Sequence, residues 1–203
     1  MTAKNWITLI DSDYHHLCHW IYLDQSVKKI LNVDKFYNSW EKMLSFRPRV
    51  RLNGFYSLLT AYWKPPNNDA FWEERRREFI EVKFYRHLRF FSGNRVLYSL
   101  DNIEHRQAYL YLRTGIPIQK RVFEGTYSVS KDEVTVEVPT HYCILKFKMQ
   151  IRDLDDRYVG KFNVLRILEH CNRGLEDSPG SNEVTFNLPS NNDMVFYRYW
   201  DMN

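Results

Sequence analysis

The hydrophobic pattern of this chain changes from helical period to period two near Val50, and that change leaves few folds open. From Asp34 to Phe46, the residues Phe36, Trp40, Met43 and Leu44 fall at i, i+4, i+7 and i+8. Such a stripe predicts a helix, capped by Asp34, with one face to bury. It ends at Arg47-Pro48-Arg49, where the proline disfavours helix for the residues before it. Beyond Val50 the apolar residues recur at every second position. In the stretch to Phe91, Ile80, Val82, Phe84, Leu88 and Phe90 share one face, and Glu81, Lys83, Tyr85, His87 and Arg89 share the other. Ser92-Gly93-Asn94 predicts a turn, with Arg95 to Leu100 as the hairpin partner. Val122 to Ser130 and Glu133 to Val138 make a second hairpin around Lys131-Asp132. Tyr142 to Arg152, Lys161 to His170, Glu183 to Leu188 and Met194 to Trp200 read as further strands.

About nine strands, mostly hairpin-connected, predict an antiparallel sheet that closes on itself, because closure removes exposed edges. The expected fold is mainly β (α+β): an antiparallel, lipocalin-like β-barrel preceded by two short helices. The first helix runs from a cap at Asp11 or Ser12 to about Leu23, with Tyr14, Leu17, Cys18 and Ile21 on one face. Asp101 and Glu104 have the spacing of a capping box and predict a third short helix, through about Arg113, stopped by Gly115 and Pro117. Gly54-Phe55-Tyr56 and Gly125-Thr126-Tyr127 predict two sharply bent strand starts. Residues 1–46 form the expected helical linker and residues 47–203 the barrel.

Composition narrows the function classes. Hydrophobic residues make up 44% of the chain and aromatics 16%, enough for a packed core. The 29 basic and 25 acidic side chains leave a net charge of +4, a solvated mixed surface rather than a nucleic-acid footprint. Cys18, Cys143 and Cys171 have no Cys-x-x-Cys spacing and read as reduced thiols of a cytoplasmic or nuclear protein. No window has the apolar length of a membrane span.

The residues around the change of period also carry a resemblance. The run from Trp40 through Arg47-Pro48-Arg49 to Gly54-Phe55-Tyr56 resembles the linker-to-β-domain junction of the F-box only protein 9 family. Phe84-Tyr85-Arg86-His87-Leu88-Arg89-Phe90-Phe91 is similar to that family's aromatic-basic strand. Leu112-Arg113-Thr114, Gly125-Thr126-Tyr127-Ser128, Phe162-Asn163 and the aromatic strand around Phe196 follow in the same order, so that the resemblance runs from Ser39 to Tyr199. It implies a non-catalytic substrate-recognition subunit of a Skp-cullin-F-box ubiquitin ligase, with a Skp-type adaptor, a cullin and a protein substrate as partners. The segment Asp11 to Ile21 resembles only the helix that closes an F-box, and nothing before Trp6 supplies the rest. On that reading Tyr14, Leu17, Cys18 and Ile21 are the adaptor-side face.

No nucleophile elbow, phosphate loop, dinucleotide fingerprint or zinc-protease helix is present, so the expectation is a protein that is not an enzyme and holds no cofactor or metal. His15 and His19 share a helix face but lack a third ligand at metal spacing. Asp153, Asp155 and Asp156 lack the glycine and terminal glutamate of a calcium loop. Arg47, Arg49 and Arg51 alternate as along a strand and are expected to project to one side. There they either receive an acidic or phosphorylated segment or close the barrel end through carboxylates. Arg86 is in phase with the apolar face of its strand and is expected to point inward, as a structural ion pair or as a cavity anchor. A barrel that binds a small apolar ligand or lipid is the competing reading, and a single-strand nucleic-acid binder a weaker one.

Overall fold

The computed structural model describes residues 10–25, 31–64, 79–118, 120–154, 160–175, 183–188 and 190–199. The alternating segments form β1 (Gly54–Lys64), β2 (Ile80–Phe90), β3 (Arg95–Asp101), β4 (Val122–Ser130), β5 (Glu133–Pro139), β6 (Cys143–Arg152) and β7 (Val164–Gly174). A two-residue β8 (Val184–Thr185) and then β9 (Asp193–Arg198) follow. Each of the first seven strands pairs antiparallel with the next, and β9 pairs with both β7 and β1. Eight strands therefore close a ring, with β8 added on the flank of β7. The expected antiparallel barrel is what the chain forms. Glu183 to Leu188 is the main shortfall, since the strand itself is confined to Val184 and Thr185, with one further backbone bond from the Phe186 amide to the His170 carbonyl; Trp200 lies outside the described residues.

Period two explains the interior. Tyr56, Leu58, Leu88, Phe90, Val96, Tyr98, Tyr127, Phe147, Met149, Leu165, Met194 and Phe196 all point into one buried cluster. Bulky aromatics fill the lumen: Tyr56, Phe90, Phe147 and Phe196 are each 2% exposed or less. Burying each such side chain contributes roughly 1.5–3 kcal/mol. Two glycines let the ring tighten. A Cβ on Gly54 would lie 2.0 Å from the Tyr197 carbonyl oxygen, and one on Gly125 2.2 Å from that of Glu137. Gly54 does open a strand, as expected, whereas Gly125 sits within β4.

The helices differ in detail from the expectation. The first, α1 (Asp11–Gln25), buries Cys18, Tyr22 and Gln25. Asp34 does not cap a continuous second helix. A 3-10 turn at Val33–Phe36 is followed by Tyr37 and Asn38 at φ 58° and 53°, and α2 (Trp40–Phe46) starts anew. Ser39 caps it, its hydroxyl accepting from the Lys42 amide at 3.3 Å. The stripe survives this break because Phe36, Trp40, Met43 and Leu44 still pack on α1. The third helix, α3 (His105–Leu112), covers the outer face of the barrel over Phe55 and Leu97. Its capping box does not form: Asp101 ends β3 and accepts from the Asn102 amide, and Glu104 is the N-cap without a side-chain bond.

Candidate functional site

Residues 47–53 form no strand, because Pro48 and the Asn53-Gly54 step keep the segment from joining the ladder. The three arginines therefore lie on an extended link rather than on a strand. Arg47 and Arg49 both meet the Tyr22 ring, while Arg51 meets a ring of the barrel. The Arg47 guanidinium lies 4.6 Å from the centre of the Tyr22 ring. Arg49 donates to the Tyr22 hydroxyl at 3.0 Å and to the Leu44 carbonyl, and faces Phe162 at 4.9 Å. Arg51 stacks on Phe196 at 4.0 Å.

Tyr22 is the organiser of this junction. Its buried hydroxyl reaches the Met43, Leu44 and Arg47 carbonyls at 3.1, 3.3 and 2.9 Å, where α2 leaves its last carbonyls unpaired. Burial holds the Tyr22 phenol above its usual pKa, against the pull of Arg49. One helical turn on, the Gln25 amide bonds both the N–H and the C=O of Val50, each at 3.1 Å, as a strand neighbour would. Asp24 accepts from the Gly93 amide at 2.9 and 2.8 Å, tying α1 to the β2–β3 turn. The helices are thus docked on one end of the barrel.

The loop before β7 completes that end. Asn163, buried, bonds Leu154 through both amide atoms, and the Asp153 carboxylate accepts from the Phe162 amide. Asp153 is therefore a turn-former; Asp155 and Asp156 lie outside the described residues. The Tyr56 hydroxyl donates to the Phe162 carbonyl at 2.8 Å and accepts from the Arg51 amide at 3.2 Å. This fixes Gly160 and Lys161 opposite Arg51.

Between the two parts lies a cleft of about 560 Å³, lined by Trp20, Ile21 and Gln25 of α1, by residues 49–53, and by Gly160, Lys161 and Arg198. Four of these side chains are cationic, and among the described lining residues none is a carboxylate. Two guanidinium groups converge at Gly160, whose Cβ position is 3.2 Å from Arg198 Nη2 and 3.9 Å from Arg51 Nη1. Lys161 donates to the Ser45 carbonyl at 3.0 Å and lies 4.3 Å from the Phe46 ring centre. Trp20, 63% exposed, offers an apolar wall. A one-sign cleft beside low-dielectric walls concentrates anions, and arginine forks match carboxylate and phosphate.

The structure sorts the expected residues. Arg49, Arg51 and Ile21 line the cleft, whereas Arg47 does not. Tyr14 and Leu17 are half-buried on α1. Cys18 is not on an outward face: it is fully buried, with its thiol toward the Trp40 carbonyl at 3.4 Å, because α1 turns that side to α2. His15 and His19 pack against the Trp40 ring, at 4.6 and 5.8 Å. Arg86 lies elsewhere, further along the barrel wall. Lys161, Arg198 and Trp20 were not anticipated. Nothing in their spacing signals that β9 and the β6–β7 loop come to the helix-bearing end.

The family described as the F-box only protein C-terminal region matches residues 28–195. The chain belongs to this family. "F-box protein pof7" of Schizosaccharomyces pombe (strain 972 / ATCC 24843) is 28% identical over 114 residues, covering 50% of this chain and 30% of that protein. The chain thus spans under a third of that relative. No solved structure matches.

Proposed function

We propose that this chain is the substrate-recognition part of a Skp-cullin-F-box ubiquitin ligase and works without a catalytic residue of its own. Its membership in the F-box only protein C-terminal region family carries the reading. A receptor of this kind acts by raising the local concentration of a substrate lysine near charged ubiquitin, which requires binding and no acid, base or nucleophile. The protein is placed in the cytoplasm or nucleus, where that machinery operates and where its three free thiols stay reduced.

The cleft between α1 and the barrel is the proposed receptor for substrate. Its chemistry suits an acidic or phosphorylated segment that meets Arg51, Arg198 and Lys161 with an apolar residue against Trp20. Among the described residues, buried side chains such as Tyr56, Phe90, Phe147 and Phe196 occupy the lumen, which disfavours a small apolar ligand there. The amino-terminal helices would face the adaptor.

A pull-down tests the ligase coupling. This chain, and a form extended upstream in its reading frame, are offered a Skp-type adaptor and a cullin. Capture by the extended form is the expected result; capture by neither overturns the coupling. Substrate binding that survives Arg51→Glu combined with Arg198→Glu, with melting unchanged, moves the receptor away from the cleft.

A further inference from the structure

The barrel is joined unevenly along its seam. β9 pairs with β1 only over Gly54–Ser57 and with β7 only over Val164–Arg166. β1 continues to Lys64, bonded to β2 on one side throughout. From Leu58 to Lys64 its other edge has no ladder partner among the described residues. Every second residue there directs its N–H and C=O away from β2. This edge is neither short nor charged along its length. Leu59, Tyr62 and Trp63 are 41%, 50% and 65% exposed. Natural sheets rarely leave such an edge open.

The inner wall at the same level carries unmatched polarity. Arg86 pairs with Leu58 in register and points inward, as its phase predicts. Its guanidinium donates to Thr60 Oγ1 at 3.1 Å and lies 4.8 Å from the Phe84 ring centre, with its charge felt at the buried Tyr98 phenol. Arg86 has no ion-pair partner among the described residues. Its Nε is buried with no hydrogen-bond partner there, and so is Nε2 of His170. His170 is 8% exposed and stacks between Phe147 at 4.4 Å and Phe186 at 4.5 Å. Arg86 is half-buried and has Thr60 as a partner, but its buried Nε–H still lacks an acceptor, and that cost falls if an acceptor enters from outside.

We propose that the open β1 edge takes up an extended peptide as an added strand, whose inward acidic side chain pairs with Arg86 beside Tyr98 and His170. Strand addition supplies backbone bonds, and alternation sends every second side chain of the guest inward. One carboxylate meets Arg86; its inward neighbours two residues away meet Tyr62 and Phe186. A free anion would satisfy Arg86 but leave the edge without a partner among the described residues, whereas a peptide accounts for both features together. The site is separate from the basic cleft and stands whether or not the protein is coupled to a ligase.

The test uses the protein alone, with no adaptor. Fluorescent peptides of about six residues alternate β-branched residues around one inward glutamate. Binding is read by polarisation. The expected result is saturable binding that falls about tenfold when the glutamate becomes glutamine, and by as much with Arg86→Gln, the two losses not adding. N-methylation of alternate peptide amides should abolish it. Absence of binding by every peptide overturns the proposal, as does indifference to N-methylation or to the glutamate. Free acetate competing as well as the peptide also overturns it, leaving an anion site alone. Should Arg86→Gln fail to fold, the peptide-side substitution still decides.

Discussion

Replacing Gln25 by alanine should loosen the helices from the barrel, and the size of the effect follows from two bonds. The Gln25 amide donates to the Val50 carbonyl and accepts from the Val50 amide, each at 3.1 Å. Gln25 and Val50 are both 1% exposed, so truncation strands one buried N–H and one buried C=O. Each such group costs about 1–3 kcal/mol when left unmade. Gln25 also borders the cleft, so water can enter and repair part of this. The net expectation is a loss of about 2–4 kcal/mol. For a chain of this length that is a fall in Tm of about 4–16 °C. Thermal unfolding followed by near-ultraviolet circular dichroism, with a urea titration for the free energy, reads both numbers. Gln25→Glu serves as the control, since it keeps an acceptor for Val50 but loses the donor and buries a charge. It should do no better than alanine. A loss below about 0.5 kcal/mol for Gln25→Ala would refute the idea that this amide clasps the two parts.

Two further outcomes follow from the barrel. Gly125→Ala should cost more than about 3 kcal/mol or prevent folding, because its Cβ would sit 2.2 Å from a backbone oxygen of β5. Gly93→Ala, at φ 72° with nothing within 4 Å, should cost only about 1 kcal/mol, and a reversed order in denaturant titrations would sink the argument. Acid should destabilise the protein through His87 and His170. Burial first of all lowers each imidazole to about 4, with His105 and Arg86 respectively adding to the effect. Since the unfolded chain binds these protons at about 6.5, stability is present above that pH and is lost as pH falls from about 6.5 through 4. His170→Leu should flatten this slope in melts at stepped pH; an unchanged slope would show that His170 is already charged.

Much of the barrel was legible because period two survives any local accident. Ile80 to Phe90 alternates, and at its carboxy-terminal half Leu88 and Phe90 line the interior with Arg86 in phase, whereas Ile80 at the other end is exposed. Turn chemistry at Ser92-Gly93-Asn94 and Lys131-Asp132 fixed which strands are neighbours. Local signals misled where a long-range contact outweighed them. Asp34 has a cap's chemistry, yet the chain turns at Tyr37 and Asn38, and Ser39 takes the role, while the apolar stripe still finds α1. Asp101 and Glu104 have a capping box's spacing, but β3 claims Asp101 first.

The basic site divides along the same line. Arg47, Arg49 and Arg51 stand together in the sequence, and their charge could be read from it. Their directions could not, because each is set by a ring contributed from elsewhere: Tyr22 from α1, Phe162 from the loop before β7, and Phe196 from β9. Alternation and turn residues act between neighbours in the chain, so the sequence was enough to specify a mainly β, antiparallel barrel with helices in front. A cleft in which Arg51, Lys161 and Arg198 converge joins residues as far apart as the chain allows, and only closure of the ring by β9 brings them to one end.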